Sequence, residues 1–224
     1  MKRKFIKKTV SVVLSVLLIF TLAFGISAHE MYYTNTGVPI VLKWNNTLNG
    51  KAFLQINGTD LNNTTNGYDY SQYLDQYNGA KNAWHNCANL VTIESSTSNP
   101  TVKLIVPSTS QWQRLVTENY IYSTLGCTLN KASNGVLIYD RNDALNSSRS
   151  IVSAVIYMNP YNYVFEDAND IRSVMVHELG HVLCLGHPNG SYNNMSVASV
   201  MNQGQAIYTI PQSHDISDIL NKYG

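Results

Sequence analysis

The chain has 224 residues, of which 44% are hydrophobic and only 13% are charged. This length is compatible with one domain or at most two small ones. Five of the 15 basic residues lie at positions 2–8, which leaves 10 Lys and Arg against 14 Asp and Glu, a net charge of about −4 for residues 29–224. Nucleic-acid-binding proteins present a basic surface, so the composition argues against a nucleic-acid partner.

The first 28 residues have the layout of a secretory signal peptide. Residues 2–8 are basic, residues 10–24 are apolar, and small residues then lead to Ala28, after which we expect cleavage. The alternative is an uncleaved membrane anchor, but the apolar run is shorter than the roughly 20 residues that a spanning helix needs. We therefore predict a secreted, extracellular protein, without stable membrane association after cleavage and with residues 29–224 as its mature part.

The predicted elements of the first half begin with a strand at residues 38–44, followed by a polar, turn-rich loop. Residues 71–90 predict a helix with Ser71 as its N-cap, because the apolar residues recur at helical spacing. Further strands are predicted at residues 101–108, 135–141 and 150–158.

After residue 158 the predicted elements are a loop and two helices. One helix begins near Asp170 as its N-cap, and a final helix near the end of the chain has Ser213 as its cap. In that final helix Ile216, Ile219 and Leu220 are expected to face inward. Strands followed by helices, with little regular alternation after the middle of the chain, favour an α+β fold.

The chain contains three cysteines, Cys87, Cys127 and Cys184. A secreted protein can form disulfides, but an odd count leaves one thiol over. A disulfide between Cys87 and Cys127 is the preferred pairing, and three buried thiols are the alternative.

The stretch VMVHELGHVLCLGH, at residues 174–187, carries the chemistry. Residues four apart share a helical face, so His177 and His181 present two imidazoles to one point. Catalytic zinc is held by three protein ligands, with an open fourth position for water. Glu178 is placed to take a proton from that water during attack on a carbonyl. For these reasons His-Glu-x-x-His on a helix predicts a metallopeptidase.

Several residues are candidates for the third metal ligand. Glu178 is the last glutamate of the chain, which excludes a downstream glutamate. Asp215 and Asp218 remain alternatives, whereas His187, ten residues after His177, fits better. Cys184 lies on the ligand face if the helix continues, so its thiolate is an alternative ligand that replaces or competes with His187.

The same stretch resembles the metzincin family of zinc peptidases, whose pattern is H-E-x-x-H-x-x-G-x-x-H. It is most similar to matrixin-type members, and the similarity extends from Asp170 to Gly224. ASVMNQG, at residues 198–204, is similar to the Met-turn of the family, which implies that Met201 packs beneath the metal without binding it. Met195 is a weaker choice for that methionine.

The resemblance implies a secreted zinc metalloendopeptidase in which Glu178 assists attack of zinc-bound water on a peptide bond. Its zinc ligands are then His177, His181 and His187, and residues 29–224 form one matrixin-like catalytic domain. The implied fold is a mixed, twisted β-sheet with two helices, one of them the active-site helix, plus a small C-terminal subdomain with a final helix. The implied partner is a protein or peptide that adds as a strand to a sheet edge, for which we select residues 135–141. We expect a monomer.

The sequence departs from the family pattern at Cys184, where the family has a glycine. That glycine allows a left-handed turn, which costs a residue with a Cβ roughly 1–2 kcal/mol.

Matrixins also carry a second, structural zinc, but no histidine lies between His85 and His177, so only one zinc is expected. Calcium is a second expected ion, and the alternative is that the same acids are solvated loop residues. These acids are Asp140, Asp143, Glu166 and Asp167.

Two other functions remain open. One is a secreted zinc-binding or adhesion protein that has lost hydrolysis, which the departure at Cys184 leaves open and an intact Glu178 opposes. The other is a metal-dependent deformylase or amidase, a class that shares His-Glu-x-x-His. The signal peptide and the Met-turn argue against this second class.

Overall fold

The computed structural model describes residues 31–58, 61, 70–119, 125–161, 164–188, 197–204 and 207–224. Within these ranges the chain forms a mixed α+β fold, with five α-helices and one curled, mixed β-sheet. The α+β prediction is therefore confirmed. The predicted signal peptide at residues 1–28 and Met195 lie outside the described ranges.

The described ranges contain ten strands, which are β1 (Tyr32–Tyr33), β2 (Pro39–Ile40), β3 (Lys43–Trp44), β4 (Thr47–Leu48), β5 (Lys51–Asn57), β6 (Val91–Ser95), β7 (Val102–Ile105), β8 (Gly126–Ala132), β9 (Leu137–Ile138) and β10 (Ser150–Met158). Only β5, β8 and β10 are longer than five residues. β1 and β2 form a separate antiparallel pair. Of the longer strands, β5 and β8 were missed in the sequence, and the strand predicted at residues 135–141 shrinks to β9.

The main sheet has the order β4-β5-β7-β10-β8-β9, with β6 beside β5 and β3 beside β10. β5, β6, β7 and β10 run parallel to one another, whereas β8 is antiparallel to β10. β9 pairs only with Asn130 and Lys131 of β8. The outer edge of β8 from Gly126 to Leu129 therefore has no partner strand within the described ranges.

The helices are α1 (Tyr70–Trp84), α2 (Thr109–Asn119), α3 (Arg141–Asn146), α4 (Ala168–Val182) and α5 (Ser213–Tyr223). α1 and α4 pack against each other, and α4 also packs on β8 and β10. The indole nitrogen of Trp84 in α1 donates to the carbonyl of Val176 in α4, at 2.8 Å. No helix of the described ranges is long and apolar enough to span a membrane.

The core lies between the sheet and these two helices. Alternate residues of the parallel strands face it, as in β5, where Ala52, Leu54 and Ile56 are buried. α4 is buried almost all round, because it has β8 and β10 on one side and α1 on the other. The sheet and α1 therefore hold α4 from both sides, which matters because α4 carries His177 and His181.

Three local predictions are wrong. α4 begins earlier than expected, because the Asp167 side chain accepts from the amides of Asn169 and Asp170 and is the true N-cap. α5 begins at Ser213, but its N-cap is Gln212 rather than Ser213. α1 begins at Tyr70 and ends at Trp84, with a separate 3-10 turn over Cys87–Asn89.

The inward face of α5 is also different from the prediction. Ile219 is fully buried as expected, but Ile216 is 37% exposed and Leu220 is 50% exposed. The buried face instead carries Asp215, Asp218, Lys222 and Tyr223. Polar side chains can face inward here because backbone groups of other segments donate hydrogen bonds to Asp215 and accept them from Lys222 and Tyr223.

The cysteines form no disulfide. Cys87 lies in the 3-10 turn, where Asp215 is its charged neighbour, whereas Cys127 lies in β8 near Glu178. The predicted pairing of Cys87 with Cys127 is therefore wrong, because the two thiols lie beside different elements. Burial raises the pKa of the Cys87 thiol to about 11 and raises that of Cys127 as well, so both are protonated at neutral pH.

Candidate metal centre

The end of α4 turns the chain back toward the helix. The amide of Leu185 donates to the carbonyl of Gly180 at 3.0 Å, and the amide of Cys184 donates to the carbonyl of His181 at 2.9 Å. These two bonds define a Schellman motif, in which the residue after the C-cap adopts the left-handed conformation. That residue is Cys184, with φ of 62°. Of the two alternatives left open for Cys184, the structure thus has the left-handed turn rather than a continued helix.

This turn brings His187 back to the two helical histidines. Among the described residues, His177, His181 and His187 form the one group of three or more potential ligand residues, with ligand atoms all within 4.8 Å of one another. The Nε2 atoms of His177 and His187 are 3.3 Å apart. Two of the three imidazoles thus come from one helical face and the third from the turn.

Backbone carbonyls fix the tautomers of the two helical histidines. Nδ1 of His177 lies 2.7 Å from the carbonyl oxygen of Val200, and Nδ1 of His181 lies 2.9 Å from that of Leu185. A carbonyl oxygen only accepts, so each Nδ1 carries the proton and each Nε2 keeps its lone pair. This is the outer hydrogen bond that metal-ligating histidines make.

One separation between ligand atoms is that expected around a tetrahedral metal ion. Two nitrogens that each lie about 2.0–2.1 Å from one tetrahedral metal are about 3.3–3.4 Å from each other, which matches the observed Nε2 separation of 3.3 Å. Burial lowers the pKa of all three imidazoles, that of His187 to about 4, so they are in the neutral form that binds metals. Three close histidines can therefore hold a metal ion, and their geometry alone does not identify which one.

Glu178 lies beside this centre and is buried. The Thr128 hydroxyl of β8 lies 2.7 Å from Oε2 of Glu178 and 3.0 Å from its carbonyl oxygen. Burial raises the pKa of the Glu178 carboxyl to about 7, and the hydrogen bond from Thr128 opposes that rise. A Cβ at Gly126 would lie only 3.2 Å from Oε1 of Glu178, so the glycine leaves room for the carboxylate.

Met201 is buried and packs against α4 at Gly180. A Cβ at Gly180 would clash with the Met201 sulfur and would lie 3.2 Å from the Trp84 ring. The glycine between the two helical histidines is therefore required for the close approach of this methionine. The methionine predicted from the sequence thus lies at the ligand helix, while Met195 lies outside the described ranges.

A buried carboxylate holds the segment around Met201 in place. Asp215, at the start of α5, accepts from the Ser199 hydroxyl and from the amides of Val200 and Gln212. The Ser199 oxygen in turn accepts from the amide of Met201 at 2.9 Å. Because the carbonyl of Val200 binds Nδ1 of His177, Asp215 is linked through one peptide segment to a metal-site imidazole.

The alternative ligands lie elsewhere. The carboxylate of Asp215 is engaged with Ser199 and Val200, and that of Asp218 lies 3.8 Å from Nε2 of His214. The Cys184 thiol is buried and lies 3.6 Å from the Val182 carbonyl. None of these three residues belongs to the group of ligand atoms, so the geometry favours His187 as the third ligand.

Three of the four acids expected to hold calcium have backbone partners instead. Asp140 and Asp143 form the capping box of α3, and Asp167 caps α4. These acids form no group of three or more potential ligand residues in the described part of the chain. The structure thus gives no support to the calcium prediction.

Four polar residues support the centre; sequence reasoning missed three of them and considered Asp215 only as a ligand. Thr128 holds Glu178, Asn130 donates to the carbonyl of His181 at 2.9 Å, and Asp215 and Tyr223 act from α5. Thr128 and Asn130 lie two apart in β8, so they share the face toward α4. An alternation search over residues 126–132 is the one signal that could have found this pair.

Comparison with known protein families gives no matching family, and comparison with curated proteins gives no match either. The function therefore has to be inferred from the site itself. What the fold and site define is an α+β protein in which three neutral histidines surround one point beside a buried glutamate.

Proposed function

We propose that the protein is a secreted zinc-dependent endopeptidase of the matrixin type. The observation that carries the proposal is the pairing of the three-histidine centre with Glu178, a buried carboxylate on the same helix. Imidazole ligands suit several transition metals, but three protein ligands with an open fourth position are typical of catalytic zinc. Zinc at this point supplies Lewis-acid chemistry, lowering the pKa of water and polarising a carbonyl group.

Glu178 is the general base in this proposal. Thr128 holds Oε2, so we assign the proton transfer to Oε1, which takes a proton from the attacking water and passes it to the leaving amine. Residues Val200 and Leu185 keep the imidazoles of His177 and His181 in the correct tautomer. The base and the ligands are therefore positioned before any substrate arrives.

The proposed substrate is an extended peptide. β8 lies beside Glu178, and no strand of the described ranges pairs with its outer edge from Gly126 to Leu129, which can therefore accept a further strand. This assignment replaces the edge selected from the sequence, because residues 135–141 form only the short β9. Strand addition at β8 brings a peptide bond toward the carboxylate of Glu178.

The test compares the purified protein with Glu178→Gln in metal content and in casein hydrolysis. We expect one zinc per chain in both, and hydrolysis that is at least about 100-fold slower in the variant, because the general base is lost. Glu94→Gln is the matched control, since Glu94 is an exposed glutamate of β6.

Two results would overturn the peptidase. Bound zinc without hydrolysis of any protein or peptide would favour a zinc-binding or adhesion protein. Hydrolysis of small formyl compounds but not of proteins would favour a deformylase or amidase.

A further inference from the structure

We infer that Tyr223, at the end of α5, is a positioning residue that keeps His187 at the metal centre. It acts through the peptide bond between Leu183 and Cys184, where α4 ends. The inference rests on the metal site of the proposed function, and it explains how a residue with a Cβ occupies the left-handed position of the turn.

The direction of the hydrogen bonds at Tyr223 is determined by its partners. Its hydroxyl lies 2.9 Å from the carbonyl oxygen of Leu183 and 3.3 Å from the backbone nitrogen of Trp44. An amide only donates and a carbonyl only accepts, so the hydroxyl accepts from Trp44 and donates to Leu183. Tyr223 is buried, so water does not replace this bond when the hydroxyl is removed.

Both ends of one peptide plane are thereby held. The carbonyl of Leu183 accepts from Tyr223, and the amide of Cys184, in the same planar group, donates to His181. The orientation of that plane sets ψ of Leu183, at 10°, and φ of Cys184, at 62°. The bond to His181 is local to the helix end, whereas the bond from Tyr223 comes from a separate element.

The turn at Cys184 positions two histidines of the metal centre, His181 and His187. The carbonyl of Leu185 binds Nδ1 of His181, and His187 follows two residues later. An L-residue disfavours the left-handed conformation, so the turn at Cys184 tends to open more readily than one with glycine. The Tyr223 hydroxyl opposes this opening. Loss of the hydroxyl is expected to weaken metal binding without removing any ligand.

The experiment is a competition titration of zinc against a chelator, with four forms of the protein. Tyr223→Phe is measured in the natural background and in the Cys184→Gly background, beside each parent. We expect Tyr223→Phe to raise the apparent Kd for zinc about tenfold in the natural background, the lower end of what outer partners of metal ligands contribute. In the Cys184→Gly background the loss should fall to about twofold or less, because the two changes act on one turn.

Tyr77→Phe is the matched control. Tyr77 is a buried tyrosine of α1, away from the turn at Cys184. Its hydroxyl also donates to a backbone carbonyl, that of Ile56, at 3.2 Å. Equal zinc affinities of the natural protein and Tyr223→Phe would overturn the inference and leave the peptidase proposal standing. Equal losses in Tyr77→Phe and Tyr223→Phe, or equal losses in both Cys184 backgrounds, would also overturn it.

Two further outcomes are decisive. A natural protein that binds no zinc would overturn the metal site and this inference together. If Tyr223→Phe does not fold in the natural background, recovery of folding and zinc binding in the Cys184→Gly background supports the inference, and failure there overturns it.

Discussion

Helices α4 and α5 both serve the three-histidine centre, but they bury different kinds of side chain. α4 presents imidazoles and one carboxylate to the centre and is otherwise packed through apolar residues. α5 buries polar side chains, and several bind the backbone of other segments: Asp215 at Val200, Lys222 at Leu42 and Tyr223 at Leu183. α4 thus supplies two of the three ligands, while α5 holds backbone segments that orient ligands.

The difference shows that metal ligands and the residues that hold them in place have different sequence requirements. A ligand needs a particular side chain at a helical spacing, which a sequence displays directly. A side chain that binds a distant carbonyl or amide needs only a donor or acceptor of the correct length. The comparison predicts graded effects: loss of a ligand should be the most severe, and changes in the supports should weaken the centre by degrees.

Loss of a ligand on α4 should have the largest effect. In His181→Ala the site keeps two imidazoles, and we expect zinc affinity to fall more than about 100-fold, beyond the range of outer partners. Zinc retained after dialysis against a weak chelator measures this. His85→Ala is the control, because His85 binds the backbone of Ile93 away from the centre. Full zinc content in His181→Ala would contradict the three-histidine site.

Removal of the buried carboxylate of α5 should come next. Asp215→Ala leaves three donors without an acceptor, so we expect the free energy of unfolding to fall by about 3–5 kcal/mol. Zinc affinity should also fall, because the carbonyl of Val200 no longer holds His177. Chemical denaturation with and without zinc measures both effects, and the exposed Asp75→Ala is the control. Unchanged zinc affinity in Asp215→Ala would show that Asp215 does not support the centre.

The Thr128 hydroxyl should affect catalysis more than metal binding. Thr128→Val keeps the shape of the side chain but loses the hydrogen bond to Glu178. We expect kcat to fall about tenfold, which corresponds to the energy of one hydrogen bond to a charged group. Thr128→Ser keeps the hydroxyl and should stay close to the natural protein. Steady-state kinetics at full zinc occupancy separate the two variants. Equal values of kcat in both would show that the hydroxyl does not position Glu178.

The smallest effect, and the most specific, should be at Cys184. Glycine tolerates the left-handed turn, whereas alanine keeps the strain and loses the buried thiol, so Cys184→Gly should be about 1 kcal/mol more stable than Cys184→Ala. This order is the reverse of that inside a helix. Thermal unfolding of the two variants measures it. Both should retain one zinc, and its loss in both would make Cys184 a ligand after all.

The sequence alone was sufficient for the ligand helix and for the α+β class. His177, His181 and His187 could be selected because a histidine pair at helical spacing, and a third histidine after a turn, are visible without any contact information. The left-handed turn was one of two alternatives for Cys184, which stands where the family pattern has a glycine. These features depend on local geometry, which a sequence encodes over a few residues.

The supports could not be predicted, because they depend on contacts between distant segments. β8 was missed because its face toward α4 carries the polar residues Thr128 and Asn130, so the strand lacks a buried apolar stripe. α5 was assigned the wrong inward face because hydrophobicity was assumed to decide it. Its aspartates, lysine and tyrosine are inward because backbone groups of residues far away in the sequence accept or donate there. Such hydrogen bonds leave no periodic trace.

The position of Trp84 gives the molecule a built-in optical reporter. Its indole is bonded to the backbone of α4 one residue before His177, and its ring lies beside Gly180 and the Met201 sulfur. Tryptophan emission responds to nearby dipoles and to quenching by polarisable sulfur. A change in the α4 helix or in the methionine when the centre fills should therefore alter the fluorescence of this one residue. Filling of the centre can then be followed in real time without a label.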